Sequence, residues 1–108
     1  MLFRSSLVDI DHFKNVNDMY GHLTGDETLR IIAATLRDQI RHPDTIGRYG
    51  GEEFLIVLPS SDSKDACEQA ARLCHQIRDL KIGANGQQFS VTISVGVAQF
   101  KKIGRAHV

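Results

Sequence analysis

Two adjacent glycines, Gly50 and Gly51, constrain the fold of this chain more than any other feature of its sequence. They separate two segments, Thr45–Tyr49 and Phe54–Leu58, that we interpret as strands. Paired glycines supply the positive φ angles that a tight hairpin turn needs. We therefore expect two antiparallel strands joined by a glycine turn, with two glutamates directly after the glycines.

Hydrophobic periodicity predicts the remaining elements. A short apolar run predicts a buried strand over residues 7–10, and apolar residues at helical spacing predict a helix over residues 12–20. Further helices are expected from residue 24 to just before Pro43, and from residue 62 or 63 to residue 80. Strict alternation of apolar residues predicts a last strand over residues 89–97.

Polar residues mark the predicted starts of the helices. Asp11 is the candidate N-cap of the first helix. Thr24 and Glu27 form a capping-box pattern for the second helix. Asp62 or Ser63 is the candidate N-cap of the third helix.

The resulting order is β, α, α, β, β, α, β in a chain of 108 residues, a length that permits one compact domain. This order predicts an α/β fold of the α+β kind, with a ferredoxin-like or polymerase-palm-like layout in which helices cover a sheet containing antiparallel strands. In that layout the first strand and the hairpin can lie side by side. Asp9 would then lie near Glu52 and Glu53.

Four carboxylates, those of Asp9, Asp11, Glu52 and Glu53, would converge from two distant segments. Hard oxygen ligands with little positive charge nearby suit Mg²⁺ held jointly with substrate phosphates. The pattern therefore indicates metal-assisted phosphoryl or nucleotidyl transfer. The spacing alone fits equally well with acids that are merely solvated at strand ends. The two preceding glycines favour the functional interpretation, since a turn without side chains lets a ligand approach the backbone.

The start of the first helix is a candidate phosphate site. Free N–H groups and the positive end of the helix dipole at residues 12–14 can hold a phosphate, with Lys14 as an added charge. Neither GxxxxGK[ST] nor GxGxxG occurs in the sequence, which excludes the common nucleotide-binding fingerprints. Asn17 and Asp26, each near a helix end, are either caps or hydrogen-bonding partners of a purine edge.

Charge and composition exclude several other classes of protein. The 13 basic residues balance the 13 acidic ones, so we expect no nucleic-acid partner. No apolar run is long enough for a membrane span, and we expect no membrane contact by this domain itself. Cys67 and Cys74 are interpreted as inert thiols in a reducing compartment, and no motif supports zinc binding or serine hydrolase chemistry.

Three segments resemble conserved blocks of one known family, the GGDEF domains. Two of them are its signature blocks, Asp9-Ile-Asp-His-Phe-Lys-Asn-Val-Asn-Asp-Met-Tyr-Gly-His-Leu-Thr-Gly-Asp26 and Arg48-Tyr-Gly-Gly-Glu-Glu-Phe54, and Val91-Thr-Ile-Ser-Val-Gly-Val97 resembles its late strand. The resemblance implies a diguanylate cyclase, which joins two GTP molecules into cyclic di-GMP and releases two pyrophosphates. It also implies a homodimer, because one domain holds one GTP and two domains must face each other across a two-fold axis.

The resemblance implies roles for individual residues. Asp9 and Glu52 would bind Mg²⁺, or Mn²⁺, together with the Ile10 carbonyl. Glu53 would add negative charge beside the reacting centre. The implied GTP-binding set comprises a guanine-reading pair, a phosphate-binding helix start and the hairpin glycines, namely Asn17, Asp26, His12, Phe13, Lys14, Gly50 and Gly51.

A further motif lies just before the hairpin. Arg41-His-Pro-Asp44 matches the RxxD product-inhibition site of the family, and Arg72 on the following helix matches a further arginine of that site. Two guanidinium groups and a carboxylate suit a ligand that carries guanine and phosphate groups, as cyclic di-GMP does. The alternative interpretation is a solvated helix end.

Both ends of the chain are interpreted as foreign to the domain. Residues 1–5 and 103–108 can be encoded by DNA segments that are reverse complements over most of their length and resemble a sequencing-library adapter. A partial GGDEF domain would then span residues 6–101, without the N-terminal helix that bears a DxLTGLxNR motif and without the family's C-terminal helix. We expect a cytoplasmic location, with any membrane anchor of the parent protein in other regions.

Two other functions stay open at the level of sequence. A catalytically silent GGDEF module would bind GTP or cyclic di-GMP as a sensor or interaction domain. Degenerate hairpins usually mark that class, and this hairpin is not degenerate. An adenylyl cyclase or polymerase-palm relative shares the use of two carboxylates but does not explain Asn17, Asp26 and the RxxD motif together.

Overall fold

The computed structural model describes residues 2–101, and their side chains from residue 3 to residue 99. In chain order its elements are β1 Leu2–Ile10, α1 Phe13–Tyr20, α2 His22–Gln39, β2 Thr45–Arg48, β3 Glu53–Leu58, α3 Ser63–Arg78, β4 Ile82–Ala84, β5 Gln87–Phe89 and β6 Ile93–Lys101.

The main sheet contains four strands in the order β2, β3, β1, β6, and each neighbouring pair is antiparallel. β1 is therefore an inner strand. Its residue Asp9 lies opposite Glu53 of β3 on one side and opposite Ser94 of β6 on the other. β4 and β5 form a separate two-stranded hairpin. The antiparallel sheet with its helices confirms the predicted α+β fold class.

Alternate residues of the sheet form one buried face. Val8 of β1 and Ile56 of β3 are fully buried, as are Leu36 of α2 and Leu73 of α3. Burial of each such side chain stabilises the fold by about 1.5–3 kcal/mol relative to exposure. Because side chains alternate along a strand, the burial of Val8 turns Asp9 to the opposite face, where it is exposed.

The structure confirms one predicted helix cap and corrects two. The Asp62 carboxylate accepts a hydrogen bond of 2.8 Å from the backbone of α3 and caps that helix. Asp11 does not cap α1, because its carboxylate accepts hydrogen bonds from the hydroxyl groups of Thr92, just before β6, and Ser94 of β6. The N-cap is instead His12, with a left-handed φ of 55°. α2 begins at His22, so the predicted capping box, starting at Thr24, lies inside the helix.

The hairpin is present, but its turn differs from the predicted glycine turn. Residues 49–52 join β2 to β3, and neither Gly50 nor Gly51 has a positive φ. The N–H groups of Tyr49 and Gly50 both donate to the Glu53 carbonyl, at 2.8 and 3.3 Å. A loop of this length reverses the chain without a left-handed residue, so the turn itself does not require the glycines.

The predicted last strand is divided between two sheets. β5 ends at Phe89 and pairs with β4, whereas β6 begins at Ile93 and pairs with β1. Asn85 and Gly86, with φ angles of 52° and 78°, form the turn of the β4–β5 hairpin. Alternating apolar residues indicate that every second side chain faces the core, but they do not indicate which strand is the neighbour.

Of the two predicted foreign ends, the structure describes residues 2–5 of the first and none of the second. The segment 103–108 lies outside the described residues. The first half of β1 pairs with both of its neighbours, since Arg4 lies opposite Leu58 of β3 and Gln99 of β6. The origin of the two ends stays a prediction.

Candidate active site

The site is built where β1 meets the hairpin loop. The register places Asp9 opposite Glu53, and the N–H of Ile10 donates to the Glu52 carbonyl at 3.2 Å. Asp9 is exposed, and Glu52 and Glu53 are half-buried. The structure therefore brings all four predicted acids to one end of the sheet, next to the start of α1.

A cavity of about 280 Å³ opens at this junction. Its lining contains acids from both segments and the first turn of α1, namely Asp9, Ile10, Asp11, His12, Phe13, Lys14 and Glu52. Six of the residues that the resemblance assigns to metal or phosphate are thus neighbours in space. The ring of Phe13 belongs to the core, so only its backbone is available to a ligand. Lys14 is exposed, as a phosphate-binding cation must be.

Asp11 differs from the other acids because its carboxylate is already bonded within the chain. It accepts hydrogen bonds from Thr92 Oγ1 at 2.7 Å and Ser94 Oγ at 2.6 Å. Its N–H donates to the Thr92 carbonyl at 2.9 Å. The bonds from Ser94 and Thr92 lower the pKa of the Asp11 carboxyl below its ordinary value, with a smaller contribution from nearby His12 and against an opposing effect of burial. Asp11 therefore ties the β1–α1 turn to β6, and the free carboxylates of the cavity are those of Asp9 and Glu52.

The two candidate guanine-reading residues lie where α1 crosses α2. A Cβ on Gly25 would lie 1.8 Å from Asn17 Oδ1, so the Asn17 side chain rests directly against the backbone of α2. Asp26 is the next residue of α2 and is exposed. It lines a second cavity, of about 450 Å³, between α2 and the hairpin, together with Leu29, Arg30, Ala33, Arg37, Ile46, Gly47, Arg48 and Phe54.

The loop of the hairpin is held by Arg48. Its guanidinium donates from Nε to the Gly50 carbonyl at 3.1 Å and from Nη2 to the Gly51 carbonyl at 2.5 Å. A Cβ on Gly50 would lie 2.6 Å from Glu53 Oε1, whereas a Cβ on Gly51 would meet nothing within 4 Å. The surface at Gly51 is therefore open, which fits the predicted close approach of a ligand to the loop.

The donor set of the first cavity fits a hard divalent cation. Asp9 and Glu52 offer carboxylate oxygens, and Ile10 offers a carbonyl. Residues 2–101 contain no cluster of three His, Cys, Asp or Glu side chains that could hold a metal ion. A cation at this place would therefore need further oxygen ligands, and substrate phosphates and water supply them in typical Mg²⁺ sites.

The RxxD motif lines a third cavity, of about 220 Å³. It brings Arg41 and Asp44 together with Arg72 of α3, and its other lining residues are Gln39, Ser61, Asp65, Glu68 and Gln69. The Asp44 N–H donates to the Arg41 carbonyl at 2.7 Å, which keeps the two ends of the motif close. None of these residues lines either of the first two cavities.

Comparison with known proteins identifies the family. A profile described as "Diguanylate cyclase, GGDEF domain" matches residues 4–107. The chain belongs to the GGDEF family. It is 41% identical over 96 residues to diguanylate cyclase DgcP of Pseudomonas aeruginosa, a match that covers 89% of this chain and 14% of DgcP. Although this GGDEF chain is matched over most of its own length, it spans a small part of that relative.

Solved GGDEF structures have the same fold. Diguanylate cyclase SiaD of P. aeruginosa, solved with its activator SiaC, superposes with a TM-score of 0.89 at 38% identity, over 98% of this chain and 40% of SiaD. The GGDEF domain of DgcB from Caulobacter crescentus, solved with c-di-GMP, gives a TM-score of 0.88 at 28% identity, over 93% of this chain and 60% of that one.

Sequence reasoning missed two features of this GGDEF domain. The contact of Arg48 with the loop carbonyls has no sequence signal beyond the position of the arginine just before the glycines. The bonds from Thr92 and Ser94 to Asp11 join residues more than 80 positions apart, which only the pairing of β1 with β6 brings together.

None of the helices among residues 2–101 has the length and apolar character that crossing a membrane requires.

Proposed function

We propose that this GGDEF protein is a diguanylate cyclase that condenses two GTP molecules into cyclic di-GMP and two pyrophosphates. The observation that carries the proposal is the single cavity in which Asp9 and Glu52 meet the first turn of α1. Two free carboxylates beside a helix start combine the metal-binding and phosphate-binding elements that nucleotidyl transfer needs. The match to diguanylate cyclases such as DgcP supports the same reaction.

The proposed metal ligands are the carboxylates of Asp9 and Glu52 and the carbonyl of Ile10. When bound there, Mg²⁺, or Mn²⁺ in its place, would supply the Lewis-acid chemistry for transfer of an α-phosphate to a 3′-hydroxyl. Glu53, which lies opposite Asp9 in the sheet, adds negative charge next to that centre. Asp11 stays bonded to β6 and holds the turn between the metal-binding acid and the phosphate-binding helix.

The proposed substrate contacts come from three neighbouring elements. Asn17 and Asp26 would bind the guanine edge, and the backbone of residues 12 and 13 with Lys14 would bind the phosphates. Gly50 and Gly51 would lie against the α-phosphate and ribose, which the open surface of the loop supports.

The proposed catalytic unit is a homodimer. One cavity of this kind holds one GTP, so the 3′-hydroxyl of one substrate and the α-phosphorus of the other meet only when two domains face each other. Each bond that forms between a 3′-oxygen and an α-phosphorus releases one pyrophosphate. The exposed position of Asp9 supports this arrangement, because a buried carboxylate could not reach a substrate held by a second domain.

The third cavity is the proposed product-binding site. Arg41 and Arg72 would bind phosphate and guanine acceptor atoms of cyclic di-GMP, and Asp44 would accept hydrogen bonds from guanine N–H groups. The structure of the DgcB domain in complex with c-di-GMP is consistent with a family that binds this ligand. We propose a cytoplasmic location for the domain, and its two free cysteines fit a reducing compartment.

Incubation of the full-length protein with GTP and Mg²⁺, followed by chromatography of the products, tests the proposal. We expect cyclic di-GMP from the wild type and a loss of at least about a hundredfold in Asp9→Asn, because that change removes a metal ligand. Asp38→Asn, which replaces an exposed aspartate of α2, is the matched control and should retain activity. GTP binding without product in a protein shown to be dimeric would contradict the enzyme and support the silent sensor module.

A further inference from the structure

Gln69 occupies an apolar position of α3. The other buried residues of this helix are Ala66, Leu73 and Ile77, which share one face of the helix with Gln69. Gln69 is 7% exposed. Burial of an amide in such a position is unfavourable unless its hydrogen bonds are made, so a structural role alone favours an apolar residue here.

The hydrogen bonds of Gln69 are only half made. Its Nε2 donates to Asp44 Oδ2 at 3.3 Å, and its Oε1 is buried without a hydrogen-bond partner among the described residues. An unpartnered buried acceptor lowers the stability of the folded state. A buried unsatisfied group is rare in native structures and calls for a specific explanation, such as a functional role or a bound water or ligand. The contact with Asp44 points to the cavity that Gln69 lines with Arg41 and Arg72.

We propose that Gln69 is a positioning residue of the nucleotide site in this cavity, where it orients the Asp44 carboxylate toward the guanine base of the ligand. The inference rests on the proposed product-binding function of the same cavity. The amide holds Oδ2 of Asp44, and the backbone bond from Asp44 to the Arg41 carbonyl holds the main chain. With the backbone N–H and the Oδ2 atom of Asp44 both held by hydrogen bonds, the carboxylate presents Oδ1 in one direction.

Guanine and adenine differ in the groups that they offer to a carboxylate, so this orientation of Asp44 would favour guanine over adenine. Guanine carries N–H groups at N1 and at its exocyclic nitrogen, which a carboxylate accepts, whereas adenine offers an acceptor at N1. Arg41 and Arg72 recognise the guanine acceptors or phosphates, and the phosphates are common to both nucleotides. Of the other two acids of the cavity, Glu68 pairs with Lys64 at 4.0 Å and Asp65 lies in the first turn of α3. Asp44 is therefore the acid that would read the guanine N–H groups, beside the arginines that recognise the guanine acceptors.

Titration calorimetry of the wild-type protein with cyclic di-GMP and with cyclic di-AMP tests the proposal. In Gln69→Leu we expect the affinity for cyclic di-GMP to fall about tenfold, while the weak affinity for cyclic di-AMP changes less than about threefold. Gln69→Met, which keeps the length of the side chain, is used instead if the Gln69→Leu variant does not fold. Gln76→Leu, on an exposed position of the same helix, is the matched control and should change neither affinity.

The outcomes separate this inference from the proposed function. Equal losses of affinity for both nucleotides in the Gln69 variants would show a packing role only and overturn the inference. Loss of cyclic di-GMP binding in Arg72→Ala with unchanged binding in the Gln69 variants would also overturn it and leave the proposed product site standing. A wild-type protein that binds neither nucleotide would overturn the product site and the inference together.

Discussion

Gly25 shows how a single missing side chain shapes the candidate guanine site. The residue is buried inside α2, where glycine is about 0.5–1 kcal/mol less favourable than alanine. The space that a Cβ would fill is taken by the Asn17 amide, 1.8 Å away, and the ring of Phe13 begins at 3.4 Å. Gly25 is therefore required by the position of Asn17 and not by the helix.

Gly25→Ala should displace Asn17 and weaken GTP binding about tenfold, because one oriented hydrogen bond to guanine is lost. The gain in helix propensity should offset part of the steric cost, so the free energy of unfolding should change little. Calorimetry with a GTP analogue that does not react measures the affinity. Gly83→Ala, where the new Cβ would lie 3.9 Å from the Gln87 carbonyl, is the control. Unchanged affinity in Gly25→Ala would contradict the role of Asn17.

The folded state favours the ionised form of Asp11, so we expect its contribution to stability to depend on pH. Its carboxylate accepts two hydroxyl hydrogen bonds, and these lower its pKa in the folded state below the ordinary 3.8. A carboxyl group with a lower pKa in the folded state stabilises the protein above its unfolded pKa. That contribution is lost as the pH falls through the folded value.

Asp11→Asn should therefore lower the free energy of unfolding at pH 7 by about 1 kcal/mol, a value reduced for partial exposure. The difference between wild type and variant should shrink as the pH falls below the ordinary value of 3.8. Urea unfolding at pH 7 and pH 3 measures both differences. An equal difference at the two pH values would mean that the ionised form of Asp11 is not the form that binds Thr92 and Ser94.

At the scale of elements, the signature hairpin depends on an arginine and not on glycine turn geometry. Gly50 and Gly51 lack positive φ, and both of their carbonyls accept hydrogen bonds from Arg48. The planar guanidinium fork reaches two acceptors at once, which a lysine ammonium cannot do in the same geometry. The loop that is proposed to contact the α-phosphate is thus shaped by the last residue of β2.

Arg48→Lys should lower kcat about tenfold, because the loop loses one or both of these bonds while the charge stays. Amide hydrogen exchange over residues 49–52 should become faster, which a change of charge alone would not cause. Arg37→Lys is the matched control, since Arg37 lines the same cavity and makes no side-chain hydrogen bond within the described residues. Equal exchange rates in the two variants would contradict the positioning role of Arg48.

The elements themselves were largely predictable from the sequence, and their ends were not. Periodicity found α1, α2, α3 and the strands of the main sheet, because it records which side chains face the core. The caps at Asp11 and Thr24 were predicted wrongly, because a side chain that can cap a helix can also bond elsewhere. The β4–β5 hairpin was missed, since three-residue strands are too short for a periodic signal.

At the scale of the whole molecule, the proposed reaction needs two copies of the domain. A candidate cavity of about 280 Å³ joins the proposed metal-binding acids to the proposed phosphate-binding helix in each chain. The substrate of the second domain must approach from outside, where Asp9 and Lys14 are exposed. Activity should then follow the population of dimers.

The initial rate of cyclic di-GMP formation per protein chain should rise with protein concentration, about in proportion at concentrations well below the dimer dissociation constant, and then level off. Rate measurements over a hundredfold range of concentration, paired with sedimentation velocity at the same concentrations, test this. A rate per chain that stays constant while the protein changes from monomer to dimer would contradict catalysis across the dimer.

The sequence by itself determined the fold class, the family resemblance and the set of acidic, basic and amide residues from which the sites are built. Those features follow from local periodicity and from residue types at short spacing. Only the tertiary structure decided how they are used: Asp9 is free while Asp11 is bonded to β6, Asn17 lies on Gly25, and Gln69 holds Asp44. The reason is that each of these contacts joins separate elements, and local sequence does not specify which groups meet when the elements pack.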